Sequence, residues 1–171
     1  MLSINVSVKE TKPNYSHDLK TLIKELTDKK VVAGFPMGKL NTPHYQFKHG
    51  RGTEKNQNPP SIIDVAIWNN FGIGVPRREF MAEAAKKWQK QWEENLEKVQ
   101  DAMIKGHMDV MKFLDVMGQA GASIISETIR DWSTPPNSPF TIAMKGTNNP
   151  LVDTGDMKNA PRHEIRKAEK Q

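Results

Sequence analysis

The sequence predicts an α+β fold, a single domain in which a small β-sheet packs against long amphipathic helices and a long loop projects. Three observations support it. Apolar and polar residues alternate at the start of the chain, as in a half-buried strand. All 11 prolines lie at or before Pro76 or from Pro135 onward, so residues 77–134 can be mainly helical. The length of 171 residues suits one domain with a core of its own.

The first third of the chain predicts a strand, a helix and a second strand. Aliphatic residues occupy alternate positions over residues 2–8, which predicts a strand. Ser16 can cap a helix whose apolar residues recur at helical spacing from Leu19 to Leu26. Residues 31–35 form a short apolar run that stops at Pro36, as expected of another strand.

The next segment predicts a loop and a short helix. Residues 37–58 are polar and contain no helical or strand period, so we interpret them as a long flexible loop. Ser61 and Asp64 have the spacing of a capping box ahead of an apolar run. The helix that they open should end near Gly72, before the turn at residues 74–76.

Two long helices are predicted to form a hairpin over residues 79–132. The first, of about 26 residues, carries an apolar stripe at spacings of three and four. Asp109 can cap the second helix, in which small residues between Gly118 and Ala122 would let another element approach closely. The stripe is either a core between helices or a subunit interface, and the sequence leaves both open. Its members are Met81, Ala85, Trp88, Trp92, Leu96, Val99 and Met103.

The last part of the chain is rich in turn-forming residues. Residues 133–139 contain three prolines and predict a turn after the second long helix. We place the domain boundary at residue 161 and interpret residues 162–171 as a basic tail that either finishes as a strand or frays.

Composition and charge exclude several classes of protein. The chain has no cysteine, so a disulfide framework and a thiol nucleophile are excluded. No apolar run approaches the roughly 20 residues that span a bilayer, and the N-terminus lacks the pattern of a signal peptide. We therefore expect a soluble protein of a reducing compartment, with no membrane partner. The net charge of +5 is concentrated in residues 1–60 and 133–171, around a slightly acidic centre.

No motif predicts catalysis, a metal or a cofactor. Residues 151–155, Leu-Val-Asp-Thr-Gly, are similar to the active-site strand of aspartic proteases, in which paired aspartates share a proton. That fold is almost entirely β and continues well beyond its aspartate, whereas only 16 residues follow Gly155 here. We reject the protease and expect Asp153 to bond turn or helix-start amides. The five histidines lack the spacing of a helical zinc site, and Lys145-Gly146-Thr147 lacks the upstream glycines of a phosphate-binding loop.

Nucleic-acid binding is the main alternative function. The loop at residues 37–58 interleaves basic side chains with His44, Tyr45, Phe47 and His49, which could hold phosphates and stack on bases. The candidate DNA-facing residues are Lys39, Lys48, Arg51 and Lys55.

Four motifs, taken in order, resemble a known family. They are Val32-Ala33-Gly34-Phe35-Pro36, the run from Ala66 to Met81 with Asn69, Phe71, Gly72, Gly74, Pro76, Arg78 and Phe80, then Pro136-Asn137-Ser138-Pro139-x-Thr141-Ile142-Ala143-x-Lys145-Gly146, and Pro150-Leu151-Val152-Asp153-Thr154-Gly155. Over residues 30–160 this order resembles the tail-completion, or head–tail joining (neck), proteins of tailed bacteriophages. The chain departs from the family pattern at Arg77, Glu79, Asp156 and Met157 and in the length of the 37–58 loop.

The resemblance implies a structural virion protein without enzymatic activity or cofactor. It implies a homo-oligomeric ring, a hexamer or a dodecamer, assembled in the host bacterial cytoplasm and located in the virion neck. Within each subunit it implies an ordered loop over residues 137–155. The implied partners are portal or connector proteins, tail proteins and, transiently, the DNA in the channel. The implied turn or interface positions are Gly34, Phe35, Asn69, Phe71, Gly72, Arg78, Phe80, Met81, Pro139, Lys145, Gly146, Asp153, Thr154 and Gly155.

Overall fold

The computed structural model describes residues 2–4, 17–35, 60–105 and 109–168. Over these residues the predicted α+β class is confirmed: three strands form one sheet, and helices make up 62% of the described chain. The strands are β1 (Leu2–Ile4), β2 (Lys29–Gly34) and β3 (Arg162–Lys167). The helices are α1 (His17–Thr27), α2 (Ile62–Phe71), α3 (Phe80–Ile104), α4 (Val110–Asp131), α5 (Pro139–Lys145) and α6 (Asp156–Asn159).

The sheet is antiparallel, with β2 in the centre. Leu2 is opposite Ala33 on one side of β2, and His163 is opposite Ala33 on the other. The last four residues of β2, Val31 to Gly34, are all buried, so both faces of the strand are covered. Because β3 pairs along the whole of β2, residues 162–167 belong to the sheet and not to an appended tail.

Helix α4 packs across this sheet and against α3. A Cβ placed on Gly121 would lie 2.6 Å from the Trp88 ring of α3 and 2.9 Å from Cβ of Ala33 on β2. The Trp88 indole is buried and donates a hydrogen bond of 3.1 Å to the Met117 carbonyl oxygen. The small residues predicted in α4 therefore mark the point where three elements meet.

The apolar stripe of α3 contributes mainly to the core of the chain itself. Trp88 and Met103 are buried, and the half-buried Trp92 ring lies 5.1 Å from the ring of Phe113 on α4. The interpretation of the stripe as a core between helices therefore holds for Trp88, Trp92 and Met103.

Two helix starts follow their predicted caps. Asp109 accepts a hydrogen bond from the Lys112 backbone N–H, and Ser61 and Asp64 bond each other's backbone amides. The predicted cap Ser16 and predicted strand residues 5–8 lie outside the described residues.

Candidate functional site

A cavity of about 440 Å³ lies between two segments that are distant in sequence, residues 65–78 and residues 136–157. One wall consists of α2 and the turn after it, and the other runs from Pro136 through α5 to Met157. Of the side chains that line it, three carry charge: Arg78, Lys145 and Asp153. The cavity is therefore cationic, with a surplus of one positive charge.

The first wall depends on a sharp chain reversal after α2. Gly72 ends the helix in the left-handed conformation (φ +76°), and a Cβ there would lie 2.9 Å from Cβ of Arg77. Glycine is required for both reasons. The reversal returns the chain to α2, so that the Arg78 backbone N–H donates 2.8 Å to the Asn69 carbonyl oxygen.

Arg78 anchors this reversal from a buried position, with only 4% of the residue exposed. Its Nη1 donates 2.8 Å to Asn69 Oδ1, and its Nε donates 3.2 Å to the Pro135 carbonyl oxygen of the opposite wall. The guanidinium thus connects the two segments. Burial lowers its pKa, but an arginine remains cationic in proteins.

The second wall contains a helix where the sequence predicted a loop. Ser138 caps α5 by accepting from the Thr141 N–H at 3.1 Å, Pro139 occupies its first turn, and Gly146 ends it with φ +72°. These are the ordinary start and stop signals of a helix, here separated by seven residues. The prediction of a loop over 137–155 was wrong for residues 139–145, because so short a helix has no apolar period to detect.

Asn149 organises the chain between α5 and α6. Its Oδ1 accepts from the N–H groups of Leu151 (3.0 Å) and Val152 (2.9 Å), and its Nδ2 donates 2.5 Å to the Arg130 carbonyl oxygen at the end of α4. Its own carbonyl oxygen accepts from Asn137 Nδ2 at 3.1 Å. This is the role that the sequence had suggested for Asp153.

Lys145 and Asp153 face the cavity from this wall. Lys145 Nζ donates 3.2 Å to the Asn149 carbonyl oxygen. Burial lowers the Lys145 pKa, the Asp153 carboxylate opposes that shift, and the positive charge of Arg78 adds to it. Within the described part of the chain, the exposed Asp153 carboxylate accepts no hydrogen bond from the protein, so the expectation that it fixes turn amides was wrong.

Exposed apolar side chains are concentrated in the two segments that form the walls of this cavity. Of the nine large hydrophobic side chains that are exposed among the described residues, seven belong to α2, the following turn or α5, and two belong to α4. We call the seven exposed side chains of these segments the apolar rim: Ile67, Trp68, Phe71, Ile73, Val75, Phe140 and Met144. Of these, Val75 also lines the cavity itself.

The structure brings together five of the fourteen positions implied by the resemblance. Asn69, Arg78, Lys145, Asp153 and Gly155 all line the cavity. Others support its walls from nearby: Gly72, Pro139 and Gly146 at helix ends, Thr154 through a hydrogen bond of 2.6 Å to Asp156, and Phe71 on the rim.

The remaining positions lie elsewhere or outside the described residues. Gly34 and Phe35 end β2, where the Phe35 ring packs edge-on against the buried ring of Phe80 at 6.3 Å. The N–H of Met81, in the first turn of α3, donates 3.1 Å to Asn70 Oδ1. The candidate DNA-facing residues Lys39, Lys48, Arg51 and Lys55 fall outside the described ranges, and their role stays a prediction.

No protein-family model, curated protein or solved structure matches the chain. Across the described ranges, no three histidine or acidic side chains come together as a group that could hold a metal ion. None of the described helices combines the length and apolar character that crossing a bilayer requires.

Proposed function

We propose that the chain is an assembly protein of a tailed-phage virion, which joins the head or connector to the tail as a homo-oligomeric ring. The observation that carries the proposal is the cavity and its rim. Two segments that carry the resemblance, residues 66–81 and 136–155, fold against each other across one cavity and together carry seven exposed apolar side chains. Exposed aromatic and aliphatic side chains in one region are typical of surfaces that bind other proteins.

The design of the walls also supports an assembly role. Arg78 connects the segments through bonds to Asn69 and Pro135, and Asn149 fixes the chain beside α5. Such bonds give a surface a defined shape before it meets a partner, which lowers the entropy cost of association. In this proposal the two walls of the cavity serve to bind a partner protein and not to catalyse a reaction.

Light scattering and co-sedimentation test the proposal. The full-length chain would be measured over a range of concentrations, alone and with heads or tails that lack their neck protein. We expect a closed oligomer whose mass is a whole multiple of 19.4 kDa, alone or on the particles. A monomer at every concentration that sediments with neither particle would contradict it.

A further inference from the structure

We propose that the cavity binds a carboxylate on a peptide segment of a partner protein, with the apolar residues next to that carboxylate packed on the apolar side chains that line the cavity. The inference rests on the proposed function, and it adds the chemistry of the partner segment. It is carried by three features: unused hydrogen-bond donors in the cavity, an excess of positive charge there, and apolar side chains in its lining, among them Val75, Leu151 and Met157.

The donors come from Arg78 and Lys145. The guanidinium has five N–H groups. Two of them bond Asn69 and Pro135, and no hydrogen bond joins the other three to the described chain. Arg78 is one of the side chains that line the cavity. The Lys145 ammonium makes one hydrogen bond, to the Asn149 carbonyl oxygen, and keeps two donors.

The charge in the cavity favours a single anionic group. Arg78 is buried and Lys145 is half-buried, and Asp153 neutralises only one of their two positive charges. Taking a cation out of water costs free energy that an anion at hydrogen-bond distance offsets. A carboxylate satisfies this need, since it accepts bidentate bonds from a guanidinium and carries one charge.

The surroundings favour a peptide over a nucleic acid. Nucleic-acid strands bind along grooves that follow a series of phosphates with several cations. This cavity has two cations, one of which Asp153 balances, so its charge suits one anionic group and not a series of phosphates. In a peptide complex the Asp153 carboxylate can accept a hydrogen bond from a backbone N–H, and the apolar lining residues Val75, Leu151 and Met157 can contact apolar side chains of the peptide.

Fluorescence anisotropy with synthetic peptides tests the inference. The probe is a labelled pentapeptide with one aspartate between pairs of leucines, both ends blocked, and the matched probe has asparagine in its place. We expect the aspartate peptide to bind about tenfold more tightly, the size of one charge-assisted hydrogen bond. Equal binding of the two peptides, or no binding of either, would overturn the inference.

Three variants connect the binding to the cavity. Lys145→Met should weaken binding of the aspartate peptide about tenfold, and Lys145→Arg should retain most of it. Asp153→Asn removes the opposing charge and should strengthen binding. Lys98→Met, which removes an exposed cation of α3 away from the cavity, is the control and should leave the affinity unchanged. Circular dichroism would establish that each variant is folded.

Other outcomes separate this inference from its rivals. A labelled oligothymidylate that binds in place of the peptide and is lost on Lys145→Met would overturn it in favour of nucleic acid. If the chain sediments with heads or tails and Lys145→Met has no effect on that or on peptide binding, the inference fails and the proposed function stands. If the peptide binds as expected while the chain stays monomeric and sediments with neither particle, the proposed function fails and the carboxylate site stands.

Discussion

At the scale of single residues, the structure depends on polar side chains whose partners are distant in sequence. Asn149 bonds the end of α4 and two amides of its own turn, and Arg78 bonds Asn69 and Pro135. The resemblance pointed to Arg78, but the sequence led us to expect that Asp153, and not Asn149, bonds the amides of the turn. Asn and Asp both bond turn amides, so composition cannot decide which of the two is used.

Replacing Asn149 by alanine should destabilise the protein by about 1–3 kcal/mol, because it leaves two amides and a carbonyl without their partners. Urea denaturation measures the change. The neighbouring Asn148→Ala, at an exposed position, serves as the control and should stay within about 0.5 kcal/mol of the parent. Equal effects of the two substitutions would contradict the role of Asn149.

A substitution at Thr128 should have the opposite effect and increase the stability of the protein. Thr128 is buried in α4, and its hydroxyl is one of two buried polar atoms without a partner among the described residues, the other being the Trp132 indole nitrogen. Thr128→Val keeps the branched shape and removes the unpaired hydroxyl, so it should stabilise the protein by about 1 kcal/mol. Thr128→Ser, which keeps the hydroxyl and loses the methyl group, should destabilise it. Thermal denaturation of both variants measures this, and a loss of stability with valine would show that the hydroxyl is satisfied.

At the scale of elements, periodicity and caps predicted the long helices well. The apolar spacing of α3 and α4 has many repeats, and the Ser61–Asp64 and Asp109 caps are local signals. Helix α5 was missed because its seven residues contain no buried side chain and thus no period. The pairing of β3 with β2 could not be inferred either, since its register depends on a strand more than 120 residues away in sequence.

The contact of α4 with α3 and β2 makes Gly121 a sensitive position. Helix propensity alone predicts a gain of about 1 kcal/mol for Gly→Ala. A methyl group there would lie 2.6 Å from the Trp88 ring, which is buried and bonded to the Met117 carbonyl, so overpacking should prevail. We expect Gly121→Ala to destabilise the protein by about 1–3 kcal/mol in urea denaturation. The exposed Ser123→Ala of the same helix should not destabilise, and a more stable Gly121→Ala would contradict this packing.

The start of α2 should make stability depend on pH. The Ser61 hydroxyl and the Ser61 backbone N–H, each 2.8 Å from Asp64 Oδ2, lower the pKa of that carboxyl below 3.8. Ionised Asp64 therefore stabilises the fold fully above pH 3.8, and this contribution is lost as the pH falls through its lower folded-state pKa. Asp64→Asn should be less stable than the parent at pH 7, and the difference should shrink below pH 3.8. Urea midpoints across this range test it, with the exposed Glu127→Gln as the control.

At the scale of the whole molecule, the candidate site arises from folding and not from any one motif. The sequence identified both segments, but nothing in their spacing shows that Asn69 and Arg78 face Lys145 and Asp153 across one cavity. The rim was also not predictable, because apolar residues of a short helix are expected to face the core. Burial of the α3 stripe within the chain leaves this rim as the apolar surface on which the proposed assembly role depends.

The most direct test is a joining assay in extracts that accumulate separate heads and tails because the gene for this chain is disrupted. Joined particles would be counted by negative-stain electron microscopy after adding the purified protein. We predict that the parent chain restores joining, that Phe71→Ser on the rim abolishes it, and that Met111→Ser, an exposed apolar residue of α4 away from the cavity, retains it. Extracts that join heads to tails without the chain, or that stay unjoined when the folded parent chain is added, would contradict the account.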